Sequence, residues 1–387
     1  MSIVTLDLET TSLDWITGKI NLLGYRIDGG EVVQTDGYSG KDRRLAETLL
    51  QPSTVLRGHN IKFDAHFLRT CGYLLECSFE DTRVMAYHQW PDEENHDLKG
   101  LVQSKLGGVP TKLEDIIFKP LKKELYHINE AYSGFYYQMD MGFVRRDKLR
   151  EYHREDILNV DRLRAVMTPT DWFTEVEVPL SRMIYEMEAY GCPLDLTHLE
   201  KLKDEMEARQ KALFEALGGS DEFNPGSTPQ VAKRLEELGY KLAEITTKTD
   251  KGAWQVDAPV LKRLAHKGDK FAETLLKYKR NNKLLSTYVD PFIEGARLDK
   301  RLHGSFNQAG SEDAYGDGAR GTKTGRLSSS SPNLQNIPSR TKEGKEVRKA
   351  FIAPEGETMF DTDLKQIEPR LVGHYTQSPK LIKAYNE

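Results

Sequence analysis

The sequence predicts an α/β domain over residues 1–172, an all-helical arm over 173–298 and a partial α+β unit over 299–387. Three observations lead there. Strand-like and helix-like segments alternate in the first part, helices with one Leu/Met face fill the second, and a Gly- and Ser-rich stretch followed by short apolar runs marks the third. A chain of 387 residues also exceeds the roughly 250 to 300 at which a single core stops growing, so division into domains is expected.

Ile3–Glu9 and Lys19–Ile27 read as two strands joined by a turn, an antiparallel hairpin that opens the fold. Ser53–Arg57 reads as a further strand, and Phe63–Thr70, His96–Leu106 and Lys148–Val166 read as helices. In the second part Leu196, Leu199, Leu202, Met206, Leu213 and Leu217 share one helix face. Thr197 and Glu200 supply a capping box at its start, and Gly218-Gly219 ends it. A second helix takes Thr228 as N-cap with Pro229 at its first position, buries Val231, Leu235 and Leu238, and stops at Gly239. Leu261–Tyr288 continues the pattern, broken near Gly268. Gly304–Pro338, including the Gly310–Gly321 run, reads as a loop. Ala350–Ala353 and Thr358–Leu364 read as strands, and the remainder as a helix.

Composition narrows the function classes. The net charge is -5, from 55 Lys and Arg against 60 Asp and Glu, so a nucleic-acid partner must be held by local basic patches or by metal ions. Hydrophobic residues at 38% suffice for real cores. The mean hydropathy is -0.60, and no run approaches the roughly 20 apolar residues that a bilayer span needs, which argues against a membrane protein. Cys71, Cys77 and Cys192 are odd in number and form no C-x-x-C. They exclude a disulfide scaffold or thiolate zinc site, fit a reducing compartment and read as packing residues. The N-terminus lacks a basic region ahead of its apolar stretch, so a cytoplasmic location is expected.

Asp7 and Glu9 stand at i and i+2 of an apolar strand and share one face. At about 7 Å and an effective dielectric near 20, two carboxylates repel by roughly 2 kcal/mol, a cost that a bound cation reverses. Alone, the pair is also what the exposed end of a strand looks like. Asn60 and Asp64 stand at i and i+4 across a helix start, and Tyr152 and Asp156 repeat that spacing on a later helix. In this order, D-x-E, N-x3-D and Y-x3-D resemble the three motifs of the DEDD 3′-to-5′ exonucleases, in the subgroup with tyrosine in the third. His96–Gly107 is similar to that superfamily's H-x-L-x-x-L-x-x-x-L-G helix, and Asp81 to its supporting D-T segment. The resemblance implies an RNase H-like fold for residues 1–172. It makes Asp7, Glu9, Asp64 and Asp156 ligands of two Mg²⁺ or Mn²⁺ ions, as oxygen-only donors favour. It implies that Tyr152 orients the attacking water with Glu9 and that Asn60 contacts DNA. Leu13 is either a wedge at the frayed 3′ terminus or a core residue.

Lys277–Lys283 interleaves cations, amides and an aromatic ring, which suits backbone phosphates or simply a solvated face. The adjoining Lys283-Leu-Leu-Ser-Thr-Tyr288 resembles the thumb-tip segment of family A DNA polymerases, the bacterial polymerase I type. Arg301–Gln308, Thr324–Pro338, Arg348–Gly356 and Asp363–Arg370 follow in that family's order. The resemblance implies a helical thumb at 173–298 and a partial palm at 299–387 that reaches motif A. It implies that Lys283, Ser286 and Thr287 grip DNA, and that Arg326, Asn333, Gln335 and Asn336 read the minor groove, whose acceptors report pairing rather than sequence. Arg340 falls near the incoming triphosphate or the primer strand. Asp363 matches the first metal-binding catalytic Asp of motif A, and Glu368 the steric gate that selects deoxynucleotides. The chain departs from the family in its longer 310–321 stretch and in Leu364, Lys365 and Pro369 of motif A.

The fingers helix and the strand with the second catalytic Asp have no counterpart in these 387 residues, so nucleotide addition is not expected from this chain alone. The resulting expectation is the N-terminal subunit of a split family A polymerase from a bacteriophage, acting in the host cytoplasm. It carries a proofreading exonuclease and a grip on primer-template or single-stranded DNA. A second polypeptide supplies the fingers and remaining palm and covers apolar surface near 350–387. A stand-alone exonuclease and a non-catalytic DNA-binding scaffold are the other readings of the same residues.

Overall fold

Alternation along the first strand organises the N-terminal domain in the computed structural model, which describes residues 1–37, 40–93, 95–111, 146–220, 222–249, 252–310, 322 and 324–386. Val4, Leu6 and Leu8 are buried on one face of β1 (Ile3–Thr10), leaving Thr5, Asp7 and Glu9 for the other. β1 pairs antiparallel with β2 (Ile20–Ile27), which pairs antiparallel with β3 (Val33–Asp36). On its other side β1 pairs parallel with β4 (Val55–Gly58), itself parallel to β5 (Ser78–Asp81). The sheet order is β3-β2-β1-β4-β5, so the strand bearing both acids is central and held from both sides. The expected hairpin and the strand near 53–57 are both present.

Leu45 and Leu49 of α1 (Arg43–Leu49) and Ile61, Phe67 and Leu68 of α2 (Ile61–Thr70) close over Val4, Leu6 and Leu8. α3 (Thr82–Gln89) and α4 (Leu98–Leu106) follow, and α5 (Arg146–Ala165) packs across β1, β2 and β4. Two devices seat α5. Asp161 accepts from the Thr5 hydroxyl at 2.7 Å and pairs with Arg57 at 3.0 Å and Arg26 at 3.1 Å, tying the helix to three strands. Gly24 opens the way for it. A Cβ there would lie 2.4 Å from His153 Cε1 and 2.6 Å from Ile157 Cδ1.

A π-helical turn (Phe173–Glu177) leads into α6 (Val178–Tyr190), whose Tyr185 joins the core of the sheet domain. Its buried Glu188 accepts from Lys62 and His66 of α2 and from the Phe306 amide, linking the first and third parts of the chain. β6 (Cys192–Pro193) precedes α7 (Leu196–Ala216), and the shared face of α7 serves two cores. Leu199, Leu202 and Met206 pack with Leu284, Tyr288 and Phe292. Leu213 and Leu217 pack with α8 (Thr228–Glu237), α9 (Leu242–Ile245), α10 (Ala258–His266) and α11 (Lys270–Leu284). A second π-helical turn (Leu285–Val289) runs into α12 (Asp290–Gly295).

Local details differ from expectation where near-equivalent caps compete. Asp195 caps α7 by accepting from the His198 amide at 3.0 Å, two residues ahead of the expected Thr197. Ser227, not Thr228, is the N-cap of α8, and Leu238 is exposed because it lies past the last helical turn. Cys77 is buried and Cys192 packs against the second core, but Cys71 is exposed just beyond α2. All three cysteines are free thiols.

In the third part β7 (Arg301–Leu302) pairs with β6, and β8 (Ser305–Asn307) with β9 (Ser328–Ser330). The loop expected over Gly304–Pro338 is therefore not irregular throughout, since β8 and β9 lie within it and pair through their backbone groups, while its 311–321 part lies outside the described residues. α13 (Lys342–Arg348), α14 (Ile367–Thr376) and α15 (Pro379–Asn386) follow. The strands expected at 350–353 and 358–364 are not formed. The first is a single bridge between Phe351 and Leu194, and the second is extended coil with Phe360 86% exposed. A strand needs a neighbour for its backbone donors and acceptors, and among the described residues none lies beside 358–364. No helix among the described residues is long and apolar enough to cross a membrane.

Candidate active site

The three sequence motifs meet between β1, α2 and α5. Asp7 and Glu9 project from the covered face of β1. Asp64 is buried in the first turn of α2, and Asp156 is buried on α5, one turn beyond Tyr152. α2 is aimed by Asp81 rather than by the side chain of Asn60. Asn60, with φ 67°, occupies the N-cap position, and its amide and that of Ile61 donate to the Asp81 carboxylate at 2.9 and 3.0 Å. The same carboxylate accepts from Arg83 at 2.8 Å and caps α3. This is the supporting role expected of the D-T segment.

His153 fixes α5 against β1. The Gln34 amide nitrogen, which can only donate, lies 3.1 Å from His153 Nδ1, so Nε2 carries the proton and donates to the Asp7 carbonyl oxygen at 2.9 Å. Burial holds this imidazole down at about 4, hence neutral.

Electrostatics show how closely the acids gather. Burial, then the charge of Asp156, pushes Asp7 up to about 8 against the pull of Lys99 and the Leu8 amide. Glu9 rises well above its ordinary value through burial, then Asp7 and Asp156. Asp64 rises through burial, then Asp7. Burial also raises Asp156, opposed by Lys99 and by the Tyr152 hydroxyl that donates to it. Tyr152 is itself raised by burial and by the negative charge of Asp156, Glu9 and Asp7, so its phenol stays protonated. The cluster is thus an all-oxygen donor set whose negative charge Lys99 offsets only in part, which suits a hard divalent cation. Among the described residues no three of these acids already stand in ligating geometry around one point. Instead the Lys99 ammonium pairs with Asp156 and lies 4.2 Å from the centre of the Tyr152 ring.

A cavity of about 500 Å³ runs between the sheet domain and the β8–β9 hairpin, lined by Leu13, Asn60, Phe63, His66, Phe306 and Ser330, and none of the four acids lines it. Leu13 is 46% exposed, so it is not a core residue.

The residues expected to contact DNA elsewhere are on the surface. Lys283, Ser286 and Thr287 are exposed at the end of α11 and in the turn after it. Arg326, Asn333, Gln335, Asn336 and Arg340 are exposed as well. Arg326 pairs with Glu368 at 2.9 Å, the Asn333 side chain accepts from the amides of Gln335 and Asn336, and the Asn336 carbonyl accepts from Tyr288 at 2.7 Å. Asp363 is exposed on the coil before α14.

Residues 1–134 match the family described as 3′-5′ exonuclease, and residues 196–387 match DNA polymerase family A. The chain belongs to DNA polymerase family A. It is 31% identical to DNA polymerase I of Rhizobium leguminosarum over 88% of this chain and 32% of that protein. It is 30% identical to DNA polymerase I of Borreliella burgdorferi over 99% of this chain and 40% of that protein. The POL domain of Pol1 from M. smegmatis, solved in complex with DNA primer-template and dNTP, matches 99% of this chain and 61% of its own with a TM-score of 0.66 at 25% identity. The chain spans less than half the length of these curated relatives.

Reading the motifs of this family A polymerase chain left out three residues of its acidic site: Lys99, His153 and Gln34. Lys99 lies inside the His96–Gly107 helix and His153 inside the Tyr152–Asp156 motif, so both stood within segments already singled out. Gln34, on β3, carries no local signal.

Proposed function

We propose that this chain is a metal-dependent 3′-5′ exodeoxyribonuclease that proofreads DNA made at an adjoining polymerase site. The observation that carries this reading is that β1, α2 and α5 bring the three motifs together, with Asp156 near enough to raise Asp7 and Asp7 near enough to raise Asp64. Asp7, Glu9, Asp64 and Asp156 would hold Mg²⁺ or Mn²⁺, directly or through water. A pair of such ions supplies charge stabilisation for the attacking and leaving oxygens of phosphodiester hydrolysis. The protonated Tyr152 phenol, with Glu9, would orient the attacking water. Asn60 and Leu13 border the cavity into which a frayed 3′ end would thread. The test is Mg²⁺-dependent release of mononucleotides from the 3′ end of a 5′-labelled strand. Activity in the wild type that Asp7→Asn abolishes supports the reading, and an inert wild type at millimolar Mg²⁺ defeats it.

On the polymerase side, the reading gives Lys283, Ser286, Thr287 and Arg340 to the DNA backbone or the incoming nucleotide. Arg326, Asn333, Gln335 and Asn336 go to the minor groove, Glu368 to the steric gate and Asp363 to a metal ligand. What supports a further polypeptide, carrying fingers and remaining palm, is a run of exposed apolar residues: Met359, Phe360, Leu364, Leu371, Val372 and Tyr375. Primer extension by this chain only after addition of a fingers-bearing polypeptide is the expected result. Extension by the chain alone would sink the split arrangement.

A further inference from the structure

We infer that Lys99 is a resident counter-cation of the acidic site, seated between Asp156 and Tyr152, and that a divalent ion must displace it to bind. The inference rests on the exonuclease reading above. Asp97 caps α4 by accepting from the Gly100 amide at 2.8 Å, which sets Lys99 in the first turn of a helix that packs against α5. From there its ammonium reaches the Asp156 carboxylate and the face of the Tyr152 ring, two of the residues the reaction uses. The pair is well covered, with Lys99 22% and Asp156 8% exposed, so water screens it far less than a surface pair. Lys99 also draws down Asp7 and Glu9, which makes it a counter-charge to three of the four acids.

Lys99 sits on one oxygen of Asp156, so a dication brought to that carboxylate stands close against the ammonium, and the two like charges repel. Lys99 therefore lets four acids be packed together before metal arrives, at the expense of metal affinity. A simple α4–α5 staple would also fit the contact, but it makes a different prediction. Removing a staple loosens the site and weakens metal binding, whereas removing a competing charge tightens it. A unit charge within about 5 Å of a dication suffices for well over tenfold at an effective dielectric near 20. The lysine stem lets the ammonium retreat, so about tenfold is expected.

The experiment measures Mn²⁺ binding to the metal-free full chain, without DNA, by electron paramagnetic resonance of the free ion. Lys99→Met keeps the stem over Tyr152 and deletes the charge, and should bind Mn²⁺ about tenfold more tightly than the wild type. Lys99→Arg should stay near the wild type. Lys105→Met, on the same helix, frees Glu93 and Trp90 instead and should leave the affinity unchanged although it alters net charge equally. Equal or weaker binding by Lys99→Met overturns the inference. Lys99→Gln repeats the measurement if the Met variant does not fold. Asp7→Asn separates the two levels of the argument. If it weakens Mn²⁺ binding while Lys99→Met fails to tighten it, only this inference falls, and if it binds as the wild type does, the metal site itself falls.

Discussion

Replacing Gly24 with alanine tests whether the contact of α5 with β2 sets the geometry of the acidic site. A Cβ there would stand 2.4 Å from His153 Cε1, about 1 Å inside the roughly 3.5 Å at which carbon atoms settle. Ile157 Cδ1, at 2.6 Å, is a second close contact, and His153 is held in place by its hydrogen bonds to Gln34 and the Asp7 carbonyl. His153 and Ile157 both belong to α5, and the helix itself must lift by about 1 Å. Overpacking of this size costs about 1 to 3 kcal/mol, so the variant should fold with a lowered melting midpoint. The chemical effect is larger. Tyr152 and Asp156 ride on the same helix, and a misplacement of about 1 Å in a catalytic constellation costs roughly 100-fold in rate. The assay is single-turnover release of the 3′ nucleotide at saturating Mg²⁺, beside thermal unfolding and binding of single-stranded DNA. A 100-fold slower step with DNA binding within a few-fold of the wild type is the expected pattern. Wild-type turnover in Gly24→Ala would refute the claim that this contact positions the site.

The metal-free protein should lose stability as pH rises from about 4 to about 8. Asp7 has a folded pKa near 8 against an ordinary 3.8, a raised value whose stabilising contribution is full below the lower figure and is lost through the higher one. Melting midpoints across that window should fall without Mg²⁺, recover with it, and show a shallower slope in Asp7→Asn. Asp81→Ala removes one carboxylate that serves the starts of both α2 and α3. Chemical denaturation should show a loss of about 2 to 3 kcal/mol, one cap's worth at each helix. His153→Ala leaves the Asp7 carbonyl and the Gln34 amide without their partner and should cost about 2 to 4 kcal/mol in the same measurement.

Much of the acidic site was legible because its spacings are local. Asp7 and Glu9 are alternate residues of one strand and Tyr152 and Asp156 a single turn of helix, so periodicity alone puts each of these pairs on one face, while Asn60 stands at the start of the helix that carries Asp64. What joins the pairs was not legible. Lys99 meets Asp156 across 57 positions and Gln34 meets His153 across 119, and contacts of that range leave no period in the sequence. Gly24 shows the same limit, since its lack of a side chain matters only once α5 lies over it. The caps of α7 and α8 failed for a smaller reason. Asp195 and Thr197, or Ser227 and Thr228, are nearly equal capping choices, and the start of packing on the core decides between them.

Asp7 and Asp363 show where such reading stops. Both stand in segments that read as strands, and both are proposed above as metal ligands. A strand, however, is a property of at least two segments. β1 has β2 on one side and β4 on the other, and these neighbours fix its twist, its register and the direction of Asp7. Residues 358–364 carry the same preference with no such neighbour among the described residues, and there Asp363 lies in exposed coil beside an exposed Phe360. The sequence therefore specifies the donor at both positions but the geometry at only one. Placing Asp363 requires a paired strand whose hydrogen bonds would also withdraw that apolar surface from water, so formation of a polymerase site and burial of Phe360 should be one event.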